Sequence, residues 1–203
     1  MRLILMRHGE TIWNAEQRLQ GHDNAPLSPC GIQQALGFKP MIAEFSPKQV
    51  VSSDLGRCRE TVGLIGYPDA PADARLRELN MGVWTGQRKP DLIAQRPDDY
   101  WAWRAGTFHP EGGETWDQFE TRVADGLRDW LHKTDGDVLA VVHSGVIRAA
   151  MVAFLGLAQH RLLPVTPGTG TILHFDDADA EHGKLEGYNI GLFVPQTAKA
   201  VAD

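Results

Sequence analysis

Cysteine is scarce in this chain, with two residues, Cys30 and Cys58, among 203. They lack C-x-x-C spacing, so neither a disulfide framework nor a zinc site can be built from them alone. They read as small, semi-buried thiols. Long apolar runs are missing too, and none reaches the length of a bilayer span. Met1 to Met6 is too short for a secretion-signal core and is interrupted by Arg7 and His8. There is no surplus of cations: 20 Lys and Arg stand against 26 Asp and Glu, a net charge of -6. Such a field repels anions and speaks against a nucleic-acid partner. Any anion site must therefore come from local clustering of arginines. Hydrophobic residues at 42% and charged residues at 23% are ordinary for a soluble globular chain. The expected setting is the cytoplasm, with no membrane contact.

Against this plain background one stretch stands out, Leu3-Ile4-Leu5-Met6-Arg7-His8-Gly9-Glu10-Thr11. A short apolar run ends in Arg-His-Gly, as a buried strand does when it leaves a sheet. Ligands in open α/β sheets bind at the carboxyl ends of strands. The charge of Arg7 favours a neutral imidazole at His8, and a neutral imidazole is a nucleophile. The guanidinium fork of Arg7 matches the oxygens of a phosphoryl group. Gly9 spares an approaching ligand a side chain, and Asn14 can return an amide donor to the same place. Nucleophile and clamp together point to a phosphohistidine intermediate. The plainer alternative has His8 ending a strand and Arg7 as a surface charge.

Further along, Ser28 and Pro29 start a helix as N-cap and first residue. Ile32, Ala35, Leu36 and Ile42 are expected on its core side, and Pro40 is expected to kink or break it near Phe38-Lys39. Gln49 to Ser53 reads as a second strand, followed by a helix from Leu55 to about Ile65. Leu76 to Val83 reads as a short strand or extended loop that carries Glu78 inward. Residues 87–112 are dense in Trp, Asp, Arg and Pro and form a candidate lid. From Thr115 to about Lys133, Trp116, Phe119, Val123, Leu127 and Trp130 recur at helical spacing. Val138 to Val142 is a strand buried on both faces. It ends in His143-Ser144-Gly145 and opens another helix, which repeats the logic of the first motif. Thr169 to Phe175 and Leu185 to Asn189 supply two strands toward one edge. The alternation predicts an α/β fold of three α/β/α layers, with a mostly parallel central sheet and helices on both faces. One domain over 1–195 is expected, with 196–203 as a disordered tail.

A phosphoryl transfer needs a nucleophile, charge on the oxygens and a proton for the leaving group. His8 offers the first, Arg7 with Arg57 or Arg59 the second, and His143 a further donor. Glu78 is the candidate general acid, unless it is a surface carboxylate paired with Arg75 or Arg77. His143 could equally be a hydrogen-bonded core histidine.

These blocks resemble the histidine phosphatase superfamily, the phosphoglycerate-mutase-like proteins. Arg7-His8-Gly9-Glu10-Thr11 with Asn14 is similar to its signature, and Ser53-x-Leu55-x-Arg57-x-x-x-Thr61 to its second block. Leu76-Arg77-Glu78-Leu79-Asn80-x-Gly82-x-Trp84-x-Gly86 resembles the block with the acid. Gly112 to Thr115 resembles the turn before a long helix, and Val142 to Arg148 the second-histidine block. The resemblance covers roughly residues 2 to 160 and favours Arg57 over Arg59. It implies His8 as the phosphorylated nucleophile and Arg7, Arg57 and His143 as the phosphate pocket, with Gly9, Thr11, Asn14 and Ser144 as further contacts. It also implies no metal, in agreement with the lack of a clustered ligand set.

Some positions depart from the pattern. Ser144 stands where glycine is common, and Met81 where mutases carry an aromatic hydroxyl. The long basic insertion of the mutases is not visible after Gly86. Between residues 87 and 106, Arg88, Lys89, Arg96 and Arg104 interleave with Asp91, Asp98 and Asp99, a roughly neutral excursion. Hydrolysis of small phosphomonoesters is therefore favoured, with similarity divided between α-ribazole phosphatases and broad-specificity phosphatases. Trp101, Trp103 and Phe108 hint at an apolar or ring-bearing leaving group. Two alternatives stand: a cofactor-dependent phosphoglycerate mutase, and a catalytically silent module that binds a phospho-ligand.

Overall fold

The computed structural model describes residues 1–158, 161–176 and 180–191. The expectations for 192–195 and for the tail 196–203 lie outside the described residues. In chain order the elements begin with β1 (Arg2–Arg7), α1 (Ile12–Ala15), α2 (Pro29–Phe45), β2 (Gln49–Ser52) and α3 (Gly56–Leu64). They continue with α4 (Lys89–Gln95), α5 (Pro97–Arg104), α6 (Trp116–Leu131), β3 (Val138–Val142), α7 (Ser144–Leu155), β4 (Gly170–His174) and β5 (Lys184–Ile190). No helix among the described residues is long and apolar enough to cross a membrane.

The strands lie in the order β2-β3-β1-β4-β5. β2, β3 and β1 pair in parallel, whereas β4 pairs antiparallel with both β1 and β5. The expectation of a mostly parallel sheet is thus corrected to a mixed one. A helix, α7, precedes β4, yet β4 enters against β1, and β5 in turn runs against β4.

Alternate residues of a strand point to opposite faces, and the core divides accordingly. Leu3, Leu5, Val138, Ala140 and Val142 join the cluster that holds Phe119, Leu127, Ile147 and Phe154 of α6 and α7. Ile4, Met6, Leu139 and Val141 join the cluster that holds Ala35, Phe38, Cys58 and Val62 of α2 and α3. β3 is buried along its whole length because helices cover both of its faces. Helices on both faces of the sheet make the expected three layers.

Ser28 caps α2, its Oγ accepting from the Gly31 N–H, and Pro29 is the first helical residue. Pro40 does not break the helix, which runs through it to Phe45. Pro40 and Leu36 stand on the solvent side, where water can take the carbonyl that lost its N–H partner. Leu36, expected in the core, is 41% exposed, and Phe38 and Gln34 are buried instead. Leu76 to Val83 forms no strand. Two 3-10 turns, Ala74–Leu76 and Gly82–Trp84, flank an extended stretch that carries Glu78.

Candidate active site

The register of β1 with β3 builds the centre of the site. Arg7 and Val142 are ladder partners, so the next residue on each strand, His8 and His143, leaves the sheet at the same edge. The His8 N–H still donates to the Val142 carbonyl at 3.0 Å. The two rings meet edge to face, with centroids 5.3 Å apart. At this edge lies a cavity of about 710 Å³, measured out to its open mouth. Its walls include Arg7, His8, Asn14, Arg57, Glu78 and Ser144.

His8 Nδ1 lies 2.7 Å from the Gly9 carbonyl. A carbonyl only accepts, so the proton belongs on Nδ1 and the lone pair on Nε2. Burial, reinforced by Arg57 and then Arg7, holds this imidazole well below its usual range. The neutral form expected from Arg7 is therefore present, but desolvation is the larger cause. His143 is fully buried and is likewise kept neutral by burial, Arg57 and His8. Its Nε2 sits 2.9 Å from Ser53 Oγ and 3.4 Å from Cys58 Sγ. Burial pushes the Cys58 thiol up to about 12, so it stays protonated.

Arg57 and Arg59 are separated by direction. Arg57, 1% exposed, donates to the carbonyls of Asp23 at 2.7 Å and Gly21 at 2.9 Å and lines the cavity. Arg59 turns away to Ser52 Oγ and the carbonyls of Ala70 and Pro68. The end of Arg7 is held by the Val165 carbonyl at 2.5 Å. Burial lowers the pKa of Arg7, to about 10, and that of Arg57.

Glu78 does not pair with its arginine neighbours. Arg75 is taken by Asp73 and Asp129, and Arg77 by Asp54. The Glu78 carboxylate instead accepts from the backbone N–H groups of Leu79 at 2.9 Å and Gly145 at 3.1 Å. The second of these is at the N-terminus of α7, where the helix dipole favours negative charge. Ser144 lines the same wall, and its buried Oγ makes no hydrogen bond among the described residues.

Asn14 is oriented by Thr11, whose N–H and hydroxyl both donate to its Oδ1 at 3.0 Å. That turns the amide –NH2 into the group available to the cavity. Thr11 itself caps α1 and is fully buried; neither it nor Gly9 is among the residues lining the cavity. The glycine at position 9 meets a packing need. A Cβ there would stand 2.3 Å from the Gly31 carbonyl of α2.

Sequence reasoning missed several contributors. Arg122 of α6 reaches the carbonyls of Arg75, Arg77 and Glu78, and its other N–H groups bind both oxygens of Glu114. Its helical register marked it only as a polar-face residue. Trp116, Lys89, Arg104 and Arg148 also line the cavity. The excursion that is neutral in sequence is not neutral where it meets the site. Lys89 and Arg104 line the cavity, whereas Asp91 and Asp98 are exposed and Asp99 pairs with Arg96. Of the excursion's aromatics, Trp103 lines the cavity, Trp101 is 60% exposed, and Phe108 packs on Trp84.

The chain is similar to known proteins over most of its length. The chain is 34% identical over 185 residues to a glucosyl-3-phosphoglycerate phosphatase of Mycolicibacterium vanbaalenii, covering 83% of this chain and 80% of the relative. It is 36% identical over 176 residues to a probable phosphoglycerate mutase of Escherichia coli, covering 80% of each chain. Among solved structures, a mycobacterial glucosyl-3-phosphoglycerate phosphatase in complex with VO3 superposes with a TM-score of 0.85 at 28% identity, covering 93% of this chain and 98% of that one. The sequence pattern of the histidine phosphatase superfamily (branch 1) matches residues 3–189, and the chain belongs to that family.

Proposed function

We propose that this protein hydrolyses small phosphomonoesters through a phosphohistidine formed on His8, as a metal-independent phosphatase. The observation that carries this reading is the contact of His8 Nδ1 with the Gly9 carbonyl, from which the tautomer follows. Nδ1–H is committed to Gly9, which leaves the Nε2 lone pair on a ring that lines a cavity shared with Arg7, Arg57 and Glu78. In the first step Nε2 bonds to phosphorus as the bond to the leaving oxygen breaks, and Glu78 delivers a proton to that oxygen. In the second, Glu78 takes a proton from water, the water oxygen bonds to phosphorus, and the P–N bond breaks to free phosphate and neutral His8. Arg7, Arg57, Asn14 and the N-terminus of α7 match the charge on the phosphoryl oxygens. His143 lies behind His8 and orients it. The phosphatase names of the relatives support the hydrolytic reading. We also infer that residues 87–112 cover the site, and that the protein works in the cytoplasm without a nucleic-acid partner.

Incubation with p-nitrophenyl phosphate in the absence of added metal tests the proposal. Free phosphate should accumulate, and acid quenching should trap a phosphoenzyme whose label is on His8 and is lost in His8→Ala. Isomerisation of 3-phosphoglycerate with its bisphosphate, without phosphate release, would establish the mutase instead. Phosphate binding with no turnover of any monoester would establish a binding module.

A further inference from the structure

A three-residue stretch, Gly21-His22-Asp23, meets both the clamp and the acid. The Arg57 guanidinium donates to the carbonyls of Gly21 and Asp23, on either side of His22. The direction of Arg57 is therefore set by this loop. His22 itself turns the other way. Its Nε2 lies 2.9 Å from the Glu78 carbonyl, 56 residues along the chain. A carbonyl only accepts, so Nε2 carries a proton and donates it. His22 is half-buried and is not among the residues lining the cavity.

Glu78 needs such a hold. Its stretch lies outside any strand, so no ladder fixes its backbone. The Glu78 carbonyl instead accepts from two side chains, His22 at 2.9 Å and Arg122 of α6 at 3.0 Å. A second observation is independent of this bond. The same two loops touch at Gly21, which has a φ of +50°. A Cβ on it would lie 3.0 Å from Met81 Cγ and 3.1 Å from the Met81 backbone nitrogen. On its other side the loop is tied to α3. Asn24 Oδ1 accepts from the Gly56 N–H at 2.7 Å, one residue before Arg57.

We propose that His22 is a positioning residue that couples the phosphate clamp to the general acid. From its place between the two acceptors of Arg57 it holds the backbone of Glu78. It thereby sets how far the Glu78 carboxylate stands from the clamped phosphoryl group. Without the imidazole the acid drifts, while Arg57 keeps its two carbonyls. The inference rests on the hydrolase reading for the roles of Arg57 and Glu78, but the hold on Glu78 can be measured without turnover.

The test compares the unaltered protein with His22→Ala and His22→Gln on p-nitrophenyl phosphate and on ethyl phosphate. The leaving oxygen of ethyl phosphate is far more basic, and an acid matters most where that oxygen is basic. In His22→Ala, kcat/KM for ethyl phosphate should fall about tenfold or more and that for p-nitrophenyl phosphate less than about threefold, since small displacements of a reacting group are costly. His22→Gln keeps an N–H donor at similar reach and should recover most of the loss. Amide exchange followed by NMR reads the acid directly, because Leu79 and Gly145 donate their N–H groups to the Glu78 carboxylate. Both should exchange about tenfold faster in His22→Ala, with the amides of β1 unchanged. Equal losses on the two esters, no loss on either, or unchanged exchange at both amides overturns the proposal. If the unaltered protein releases phosphate from neither ester, the hydrolase reading falls. Faster exchange in His22→Ala then still establishes His22 as the link between the two loops, and unchanged exchange removes it.

Discussion

Glu78 occupies the space that a side chain at Gly145 would fill: a Cβ there would lie 2.1 Å from Glu78 Oε1. The same glycine donates its N–H to Oε2 of that carboxylate. Gly145→Ala should therefore push the carboxylate off its seat while leaving Arg7 and Arg57 in place. The expected outcome is a fall in kcat of about 100-fold, the scale of a lost general acid, with a much smaller change in phosphate affinity. Steady-state kinetics beside a phosphate titration checks it; equal losses in both would remove Glu78 from proton transfer.

Arg122 touches the loop of Glu78, not the cavity, and acts by position. Arg122→Met should lower kcat by about 10- to 100-fold, since small displacements of a reacting group cost that much. KM should move little, and Arg122→Lys should recover only part of the rate because it lacks the fork that spans Glu114 and three carbonyls. A KM-led defect in both variants would count against this role.

The two arginines of α3 should separate cleanly. Arg57→Ala is expected to lose about 100-fold or more in kcat/KM, as for a donor to developing charge. Arg59→Ala removes hydrogen bonds to Ser52, Ala70 and Pro68, and should instead cost about 1–3 kcal/mol of stability. Kinetics and urea melts on the pair decide the matter, and the reverse assignment would follow from the reverse result.

Stability should fall on the acid side of neutrality. His8 and His143 are held neutral when folded, chiefly by burial, and regain an ordinary pKa near 6.5 when unfolded. The unfolded chain thus binds more protons below that value. The contribution is intact above pH 6.5 and is lost as pH falls below it, by about 1.4 kcal/mol per pH unit for each imidazole. Urea unfolding at pH 7, 6 and 5 should show the slope, and His8→Asn should remove one imidazole's share of it. An unchanged midpoint across that range would contradict the neutral pair.

Gly9→Ala tests the packing reading of the signature glycine. A methyl group would meet the backbone of Gly31, and backbone cannot swing aside as a side chain can. A loss of about 3 kcal/mol is expected, at the upper end for overpacking, with thermal melting as the readout. A stable variant that has lost only ligand affinity would restore the original expectation.

Much of this arrangement was legible from residue order. Strand ends that terminate in His8 and His143 could be read directly, because buried apolar runs and their abrupt polar stops are local features. The fate of Glu78 was legible only in part, since which carboxylate each of Arg75 and Arg77 takes depends on Asp54 and Asp129 in distant segments. The charge of the 87–106 excursion was misread because a sum over residues ignores direction. Two short helices send Lys89 and Arg104 inward and leave the aspartates outside. That Pro40 leaves its helix unbroken is likewise a matter of surroundings. Its penalty depends on whether water can reach the orphaned carbonyl, and burial is a property of the fold.

The pairing of Arg7 with Val142 has a consequence for synthesis. His8 and His143 lie 135 residues apart in sequence, yet the ladder sets them side by side. A polypeptide that stops before β3 carries His8 without the strand that seats it. The seat of this ring thus waits on the pairing of the two central strands.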